Sequence, residues 1–169
     1  TSSRFLVFGV KGMLSAAKNV RNAMLFNVLS FMSDKLLTVG NTVAALDELY
    51  IWLSNPTAIE YIRNCLKRVR KKESAMLLAS QNLEDFDQEG VREMTKPLFS
   101  IPPHQFLFNA GSIDKRSYMD MLQLEESEYN LIKFPQRGVC LYKCGNERYL
   151  LEVHAPAYKE KLFGSAGGR

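Results

Sequence analysis

Two short apolar segments each end in polar residues whose types suit phosphoryl-transfer chemistry. Residues 42–46 lead into Asp47-Glu48, and residues 75–79 are followed closely by Gln81. One carboxylate of such a pair can hold Mg²⁺ through water, the other can polarise an attacking water, and an amide can report on a γ-phosphate. Because open α/β sheets place ligands at the carboxyl ends of their strands, we expect these three side chains to lie together.

Each of these features also has an ordinary structural interpretation. Adjacent carboxylates such as Asp47 and Glu48 are common at solvated helix starts, and Gln81 suits a polar strand exit. Tyr50 and Trp52 follow the acidic pair and could stack on a nucleotide, although aromatic residues at this spacing more often pack in a core. The acidic pair and Gln81 together are therefore more informative than any of them alone.

A run of basic residues, 67–72, lies between the two apolar segments. It suits a solvated helix end, where cations are favoured by the helix dipole. Alternatively, it donates Arg68 or Arg70 to a phosphate across a subunit interface, as an arginine finger does. Contact with a DNA backbone is a third possibility. The sequence does not distinguish Arg68 from Arg70.

Composition excludes several other classes of protein. The 169 residues are 46% apolar and 24% charged, with a net charge of +4, which is typical of a globular domain. Three cysteines do not form a disulfide framework, and no second cysteine pair completes a zinc site around Cys140 and Cys144. No apolar run is long enough for a membrane span. His104 and His154 have no nucleophile or carboxylate at a recognisable catalytic spacing, so we interpret both as structural.

The order of strand and helix signals predicts the fold class. A buried strand is expected at Arg4 to Phe8, and a helix from about Ser15 to Lys35 whose second half is deeply buried against a sheet. A parallel strand covered on both faces is expected at 42–46, and another buried strand at 75–79. Asn55-Pro56 marks a further helix start. The remaining expected elements are a short helix ending near 94, a strand at 105–108, helices at 114–122 and from 124, and a hairpin of 138–142 and 148–153 around Gly145-Asn146. We therefore expect a mostly parallel α/β sheet flanked by helices and finished by an antiparallel hairpin.

The ordered motifs resemble the conjugation and type IV secretion ATPases, which belong to the FtsK–HerA superfamily of RecA-like P-loop motors. The segment that resembles their Walker B region is Thr42-Val-Ala-Ala-Leu-Asp-Glu-Leu-Tyr-Ile-Trp-Leu-Ser-Asn-Pro56. The likeness extends from about residue 4 to residue 163. It also includes residues 61–72, 76–81 and 122–128, Arg137-Gly138 and the terminal hairpin.

This resemblance implies a role for each candidate residue. Asp47 would be the carboxylate linked to Mg²⁺ through water, Glu48 the catalytic base, and Gln81 the γ-phosphate sensor of an ATP-hydrolysing site. Arg70 or Arg68 would contact phosphate, and Arg137 would approach the nucleotide. The implied cofactors are ATP and Mg²⁺ in the complete protein.

Two departures from the family pattern limit what this chain does alone. Gly9 stands where the family often has an acidic residue, and no G-x-x-x-x-G-K-[ST] phosphate loop occurs in the sequence. In the family that loop lies upstream, and it supplies most of the grip on phosphate. We therefore expect residues 1–163 to be the C-terminal half of a RecA-like ATPase domain, residues 164–169 to be a flexible tail, and the isolated piece to be inactive.

The resemblance also implies partners and a location. The parent protein would be a hexamer or dimer that works with other secretion or conjugation subunits, at the cytoplasmic face of the membrane and attached to it only through partners. DNA is a possible ligand. Two alternatives remain open: a non-catalytic interaction or DNA-docking module, and a DNA-pumping motor of the same superfamily outside secretion.

Overall fold

The computed structural model of the chain is a mixed α/β structure with two sheets. It describes residues 4–13, 15–53, 55–81, 83–87, 90–109, 111–134 and 136–164. The strands are β1 Val43–Leu46, β2 Ala75–Leu78, β3 His104–Leu107, β4 Val139–Cys144 and β5 Glu147–Glu152. The helices are α1 Lys18–Asp34, α2 Tyr50–Leu53, α3 Pro56–Arg68, α4 Arg92–Ser100, α5 Lys115–Leu122, α6 Glu126–Ile132 and α7 Ala157–Phe163.

The chain divides into two compact units, Thr1–Ile101 and Pro102–Arg169. In the first unit β1 and β2 pair in parallel, with Val43 opposite Ala75 and Leu46 opposite Leu78. The α/β class and this parallel pair confirm the prediction from the sequence. The buried residues of this unit include Leu25 and Leu29 of α1, Leu46 of β1, and Ile59 and Ile62 of α3.

Helix α3 begins where its sequence predicts. The Asn55 side chain accepts hydrogen bonds from the backbone N–H groups of Thr57 and Ala58, at 3.0 and 3.4 Å. Pro56 occupies the first helical position, where its missing N–H has no intrahelical partner to lose. The helix buries Ile59 and Ile62 on the apolar face that the 3- and 4-residue spacings indicate. This capping fixes the helix that connects the two parallel strands.

A π-helical segment, Lys35–Val39, ends α1 and is tied to both strands. The Ser74 hydroxyl donates to the carbonyl oxygen of Leu36 at 2.9 Å and accepts the Thr42 N–H at 3.2 Å. Gly40 follows at φ 79°, and a Cβ there would lie 2.8 Å from the carbonyl oxygen of Lys72. Only glycine fits this close approach, which brings the entrances of β1 and β2 together.

In the second unit β3, β4 and β5 form an antiparallel sheet in that order. The hairpin turns at Gly145, as the sequence predicts, and Leu141 lies opposite Leu150. The strand expected at 105–108 is present as β3, but it joins the hairpin through antiparallel pairing with β4. The described strands therefore contain one parallel pair, and the antiparallel portion of the fold is larger than the hairpin alone.

Two expectations about burial are wrong for the described residues. Arg4 to Phe8 form no strand in either sheet, and Phe5 is 83% exposed. Apolar composition alone does not make a strand, because a strand also needs a neighbouring backbone to pair with. The parallel pair is covered on one face only, with Val43 67% and Leu77 63% exposed. Of the predicted tail, 165–169 lie outside the described residues.

In the described ranges, no helix has the length and apolar character needed to span a membrane.

Candidate functional site

The carboxyl ends of β1 and β2 are held side by side by two backbone hydrogen bonds. The Ala79 N–H donates to the carbonyl oxygen of Leu46, and the Leu49 N–H donates to the carbonyl oxygen of Ala79, both at 2.9 Å. The second bond lies beyond the acidic pair and returns the chain from β1 to the exit of β2. The loop that carries Asp47 and Glu48 is thereby fixed against the residue that precedes Ser80 and Gln81.

Glu48 has a left-handed backbone, with φ at 52°. This conformation is uncommon for residues other than glycine and costs energy unless the surroundings impose it. Here Oδ1 of Asp47 accepts a hydrogen bond from the Glu48 N–H at 3.0 Å. The next residue, Leu49, is fixed by the hydrogen bond from its N–H to the carbonyl oxygen of Ala79. The same kind of backbone occurs at Asn41, Glu73 and Gln123, and the last two end helices. The conformation of Glu48 therefore fixes the direction of its side chain but does not by itself mark a functional residue.

The Gln81 side chain meets the Glu48 side chain directly. Nε2 of Gln81 donates to Oε1 of Glu48 at 2.6 Å. The other carboxylate oxygen, Oε2, is buried and has no hydrogen-bond partner among the described residues. A carboxylate oxygen without a partner is costly to bury, so this atom is suited to accept a proton or a hydrogen bond from a bound molecule.

The helix after the acidic pair anchors it to the core. Helix α2 is only four residues long, and it buries Ile51, Trp52 and Leu53. Trp52 is 2% exposed, which supports its interpretation as a packing residue. Tyr50, on the exposed side of the same turn, remains the aromatic side chain available for a ligand near Glu48.

Arg68 and Arg70 lie at the other end of the parallel pair. Arg68 ends α3, and Arg70 belongs to a 3₁₀ turn, Val69–Lys72, just before β2. Both arginines are exposed. Since the four residues of β2 rise about 3.3 Å each, its two ends are roughly 10 Å apart. The structure therefore brings Asp47, Glu48 and Gln81 together but places both arginines away from them.

Arg137 belongs to the second unit, in the turn that enters β4, and its side chain is exposed.

The next residue, Gly138, is required by the backbone geometry of the hairpin. Gly138 has φ at 79°, and a Cβ there would lie 2.5 Å from the carbonyl oxygen of Val153. The same pair is linked by a hydrogen bond from the Val153 N–H to the Gly138 carbonyl oxygen at 2.8 Å. This pairing closes the open end of the hairpin.

The chemistry of the acidic pair fits a magnesium ion that is bound mainly by its substrate. Within the described ranges, no three His, Cys, Asp or Glu side chains are grouped closely enough to cage a metal. Mg²⁺ is commonly held by one or two carboxylates together with substrate phosphates. Asp47, which is exposed beside Glu48, suits that arrangement.

Sequence reasoning found the polar residues of this site but missed the conformation of Glu48. The four residues 47–50 contain no glycine or asparagine that would have signalled a left-handed backbone. It also missed the groove of about 290 Å³ between α1 and α3, whose lining includes Asp34, Tyr61 and Arg68. That groove lies away from the strand ends that carry Glu48.

Comparison with known proteins identifies the family that this arrangement resembles. The chain is 32% identical over 101 residues to a probable conjugal transfer protein TrbE of Sinorhizobium fredii, and 31% identical over 101 residues to the conjugal transfer protein TrbE of Rhizobium radiobacter. Each match covers 59% of this chain. No family model matches the sequence.

The fold is also similar to a solved structure. VirB4 of Thermoanaerobacter pseudethanolicus superposes with a TM-score of 0.79 and 29% identity over 91% of this chain. The resemblance to the conjugation and type IV secretion ATPases is thereby confirmed. The chain spans only a fraction of these proteins: 15% and 12% of the two TrbE proteins and 42% of the VirB4 chain.

Proposed function

We propose that this chain is the C-terminal half of the motor domain of an ATPase that energises conjugative DNA transfer or type IV secretion. The observation that carries the proposal is the bond between Gln81 and Glu48, which joins the polar exits of two parallel strands at 2.6 Å. The similarity to TrbE and VirB4 supports the same function. Residues 1–163 are the proposed half-domain, and residues 164–169 are a tail.

Each residue of the strand-end site has a specific task in this proposal. Asp47 holds Mg²⁺ through water, since its carboxylate is exposed beside the catalytic group. Glu48 accepts a proton from the attacking water, for which its buried and unpartnered Oε2 is suited. Gln81 holds the Glu48 carboxylate and contacts the γ-phosphate when ATP is bound, so it couples the state of the nucleotide to the position of the base.

The grip on the phosphates of ATP comes from outside these residues. The sequence has no phosphate loop, so a backbone N–H cradle and its lysine belong to another region of the parent protein. Arg68 and Arg70 lie at the far end of β2 from Glu48, which favours action on the nucleotide of a second copy in a hexamer or dimer. Arg137 is proposed as a further residue that approaches the nucleotide.

The location and partners follow from the same family proposal. The complete protein would act at the cytoplasmic face of the membrane, attached through other subunits of the conjugation or secretion system. Comparing the rates of ATP hydrolysis by the complete wild-type protein and by its Glu48→Gln variant tests the assignment of Glu48 as the base. A complete protein that hydrolyses no ATP would contradict the proposed function.

A second function is supported by the exposed basic run at the end of α3. Lys67, Arg68, Arg70, Lys71 and Lys72 are all exposed, whereas Val69 is buried beneath them. This surface suits contact with a DNA backbone, and such binding weakens steeply as salt rises. Titrating the chain with DNA at several salt concentrations tests this function. Binding whose salt dependence is unchanged when these residues are replaced would contradict it.

A further inference from the structure

One buried hydroxyl group ties three segments together at the entrances of β1 and β2. Ser74 is 8% exposed, and its hydroxyl accepts a hydrogen bond from the Thr42 N–H at 3.2 Å. Its single proton points between two carbonyl oxygens, that of Leu36 at 2.9 Å and that of Lys72 at 3.3 Å. These partners belong to the start of β1, the π-helical segment and the end of the basic run. A buried polar group with partners in three segments fixes their relative positions.

The 3₁₀ turn that carries Arg70 is held by Ser74 at both of its ends. The Ser74 N–H donates to the carbonyl oxygen of Val69 at 3.1 Å, and the Ser74 hydroxyl reaches the carbonyl oxygen of Lys72. The Asn41 N–H donates to the same Lys72 oxygen at 2.9 Å. The Arg70 side chain is exposed, but its backbone is therefore fixed by hydrogen bonds on either side of it.

Arg68 is placed differently. It ends α3, and its side chain lines the groove between α1 and α3 together with Asp34 and Tyr61. The residues that bond to Ser74 begin only with Val69, so Arg68 lies outside the segment that Ser74 holds. Of the two arginines, Arg70 is the one whose backbone is tied directly to the entrances of the strands.

The strand-end site has its own ties and does not need Ser74 for them. The carboxyl ends of β1 and β2 are joined by two backbone hydrogen bonds, which involve Leu46, Leu49 and Ala79. The entrances and exits of these strands are roughly 10 Å apart. Loss of the Ser74 hydroxyl should therefore move the basic turn more than it moves Glu48.

We infer that Ser74 is a positioning residue for Arg70, and that Arg70 is the arginine that acts on the nucleotide of a second copy. This inference rests on the proposed function, because it requires a motor in which an arginine acts in trans. Such an arginine stabilises the charge on a transferring phosphoryl group, and small errors in its placement are costly. Fixing the backbone of the turn removes one source of error from a long, exposed side chain.

The test is Ser74→Ala in the complete protein, alone and co-assembled with two other variants. The change leaves polar backbone groups at Leu36 and Thr42 without their partner. We expect turnover to fall about tenfold or more, because the arginine loses its placement. Co-assembly with Glu48→Gln should raise turnover above the mean of the two separate variants, since that partner supplies a well-placed arginine to an intact base. Co-assembly with Arg70→Ala should give no such rise, since neither partner supplies one.

Two further variants serve as the control and the alternative. Thr95 is also buried, and its hydroxyl bonds to the carbonyl oxygens of Val91 and Arg92 at 3.0 and 3.2 Å. Thr95→Val removes this hydroxyl from the same unit and should leave turnover unchanged. If Ser74→Ala lowers the melting temperature so far that the protein does not assemble, Ser74→Cys takes its place. A thiol keeps a weak donor, so we expect a smaller loss with the same pattern of restoration.

The pattern of restoration decides the outcome. A Ser74 variant restored by Arg70→Ala, or by neither partner, would overturn the inference, because its defect would then lie at the base or in the fold as a whole. Turnover within about twofold of wild type would also overturn it. The reference is the mixture of Arg70→Ala with Glu48→Gln, and failure of that mixture to regain activity would overturn action of Arg70 in trans together with this inference. Absence of ATP hydrolysis by the wild-type protein would instead contradict the proposed function.

Discussion

The side-chain amide of Gln81 donates a hydrogen bond to Oε1 of Glu48 across 2.6 Å, although the two residues are 33 positions apart in the sequence. The contact exists because β1 and β2 lie in parallel register and because Leu49 bonds back to Ala79. It links a group suited to sense phosphate with a group suited to activate water. Replacing either Gln81 or Glu48 should therefore affect the same step of ATP hydrolysis.

The first prediction concerns Gln81→Ala in the complete protein. The change removes the donor to Glu48 but keeps the carboxylate, so the base loses its position. We expect ATP turnover to fall roughly 10²-fold, because small errors in the placement of a reacting group are costly. The double variant with Glu48→Gln should be no slower than Glu48→Gln alone, since residues that act as a unit are not additive. Fully additive losses in steady-state assays would contradict this coupling.

The second prediction separates the two roles of Asp47. Asp47→Asn keeps an oxygen that can accept the Glu48 N–H but removes the negative charge. We expect the Mg²⁺ concentration for half-maximal ATP hydrolysis to rise about 10- to 100-fold, as for other groups that hold a metal through an intermediate ligand. The melting temperature should change little. An unchanged Mg²⁺ titration would exclude Asp47 from the metal site.

The third prediction tests whether an arginine acts on a neighbouring copy. Arg70→Ala and Arg68→Ala are each expressed in the complete protein, with Lys67→Ala as the control on the same basic run. Replacing the arginine that acts in trans should lower turnover about 10³-fold or more. Mixing that variant with Glu48→Gln should restore some of the activity, because some interfaces would then combine an intact arginine with an intact base. A mixture that remains inactive would contradict action in trans.

The fourth prediction is a pH dependence at the start of α5. Hydrogen bonds from Ser117, from both its side chain and its backbone, and from the Arg116 N–H lower the pKa of Asp114 below its usual 3.8. The folded state therefore favours the ionised group. The ionised carboxylate contributes fully to the free energy of unfolding at pH values above the usual pKa of 3.8. That contribution is lost as the pH falls through the lowered pKa of the folded state. Asn at this position still caps a helix but does not titrate.

Urea unfolding of wild type and Asp114→Asn across acidic pH measures this effect. We expect wild type to be the more stable protein at neutral pH and the difference to shrink below pH 3.8. A constant difference across that range would show that the charge of Asp114 contributes nothing. The hydrogen bonds to Arg116 and Ser117, at 2.8 and 3.2 Å, would then act through geometry alone.

The sequence predicted those features that depend on neighbours along the chain. The start of α3 at Asn55-Pro56 and the hairpin turn at Gly145 are local signals, and both are present. The parallel pair was predicted because two apolar segments flank a helical one, which leaves few other connections. Asp47, Glu48 and Gln81 could be grouped in advance for the same reason.

Other features depend on contacts between distant residues, and the sequence did not reveal them. Arg4 to Phe8 have strand composition but belong to neither of the described sheets. The pairing of β3 with the hairpin and the exposure of Leu77 are also set by which backbones and helices are near. The left-handed conformation of Glu48 is imposed by the bonds around it and not by its residue type.

The most direct test of the proposed function is the rate of ATP hydrolysis by the complete protein carrying Glu48→Gln. Glutamine keeps the size of the side chain but cannot accept the proton of the attacking water. We predict a loss of about 10²-fold or more in turnover with ATP binding retained, while Glu60→Gln, an exposed change on α3, leaves turnover unchanged. Turnover by Glu48→Gln within twofold of wild type would contradict the assignment of Glu48 as the base.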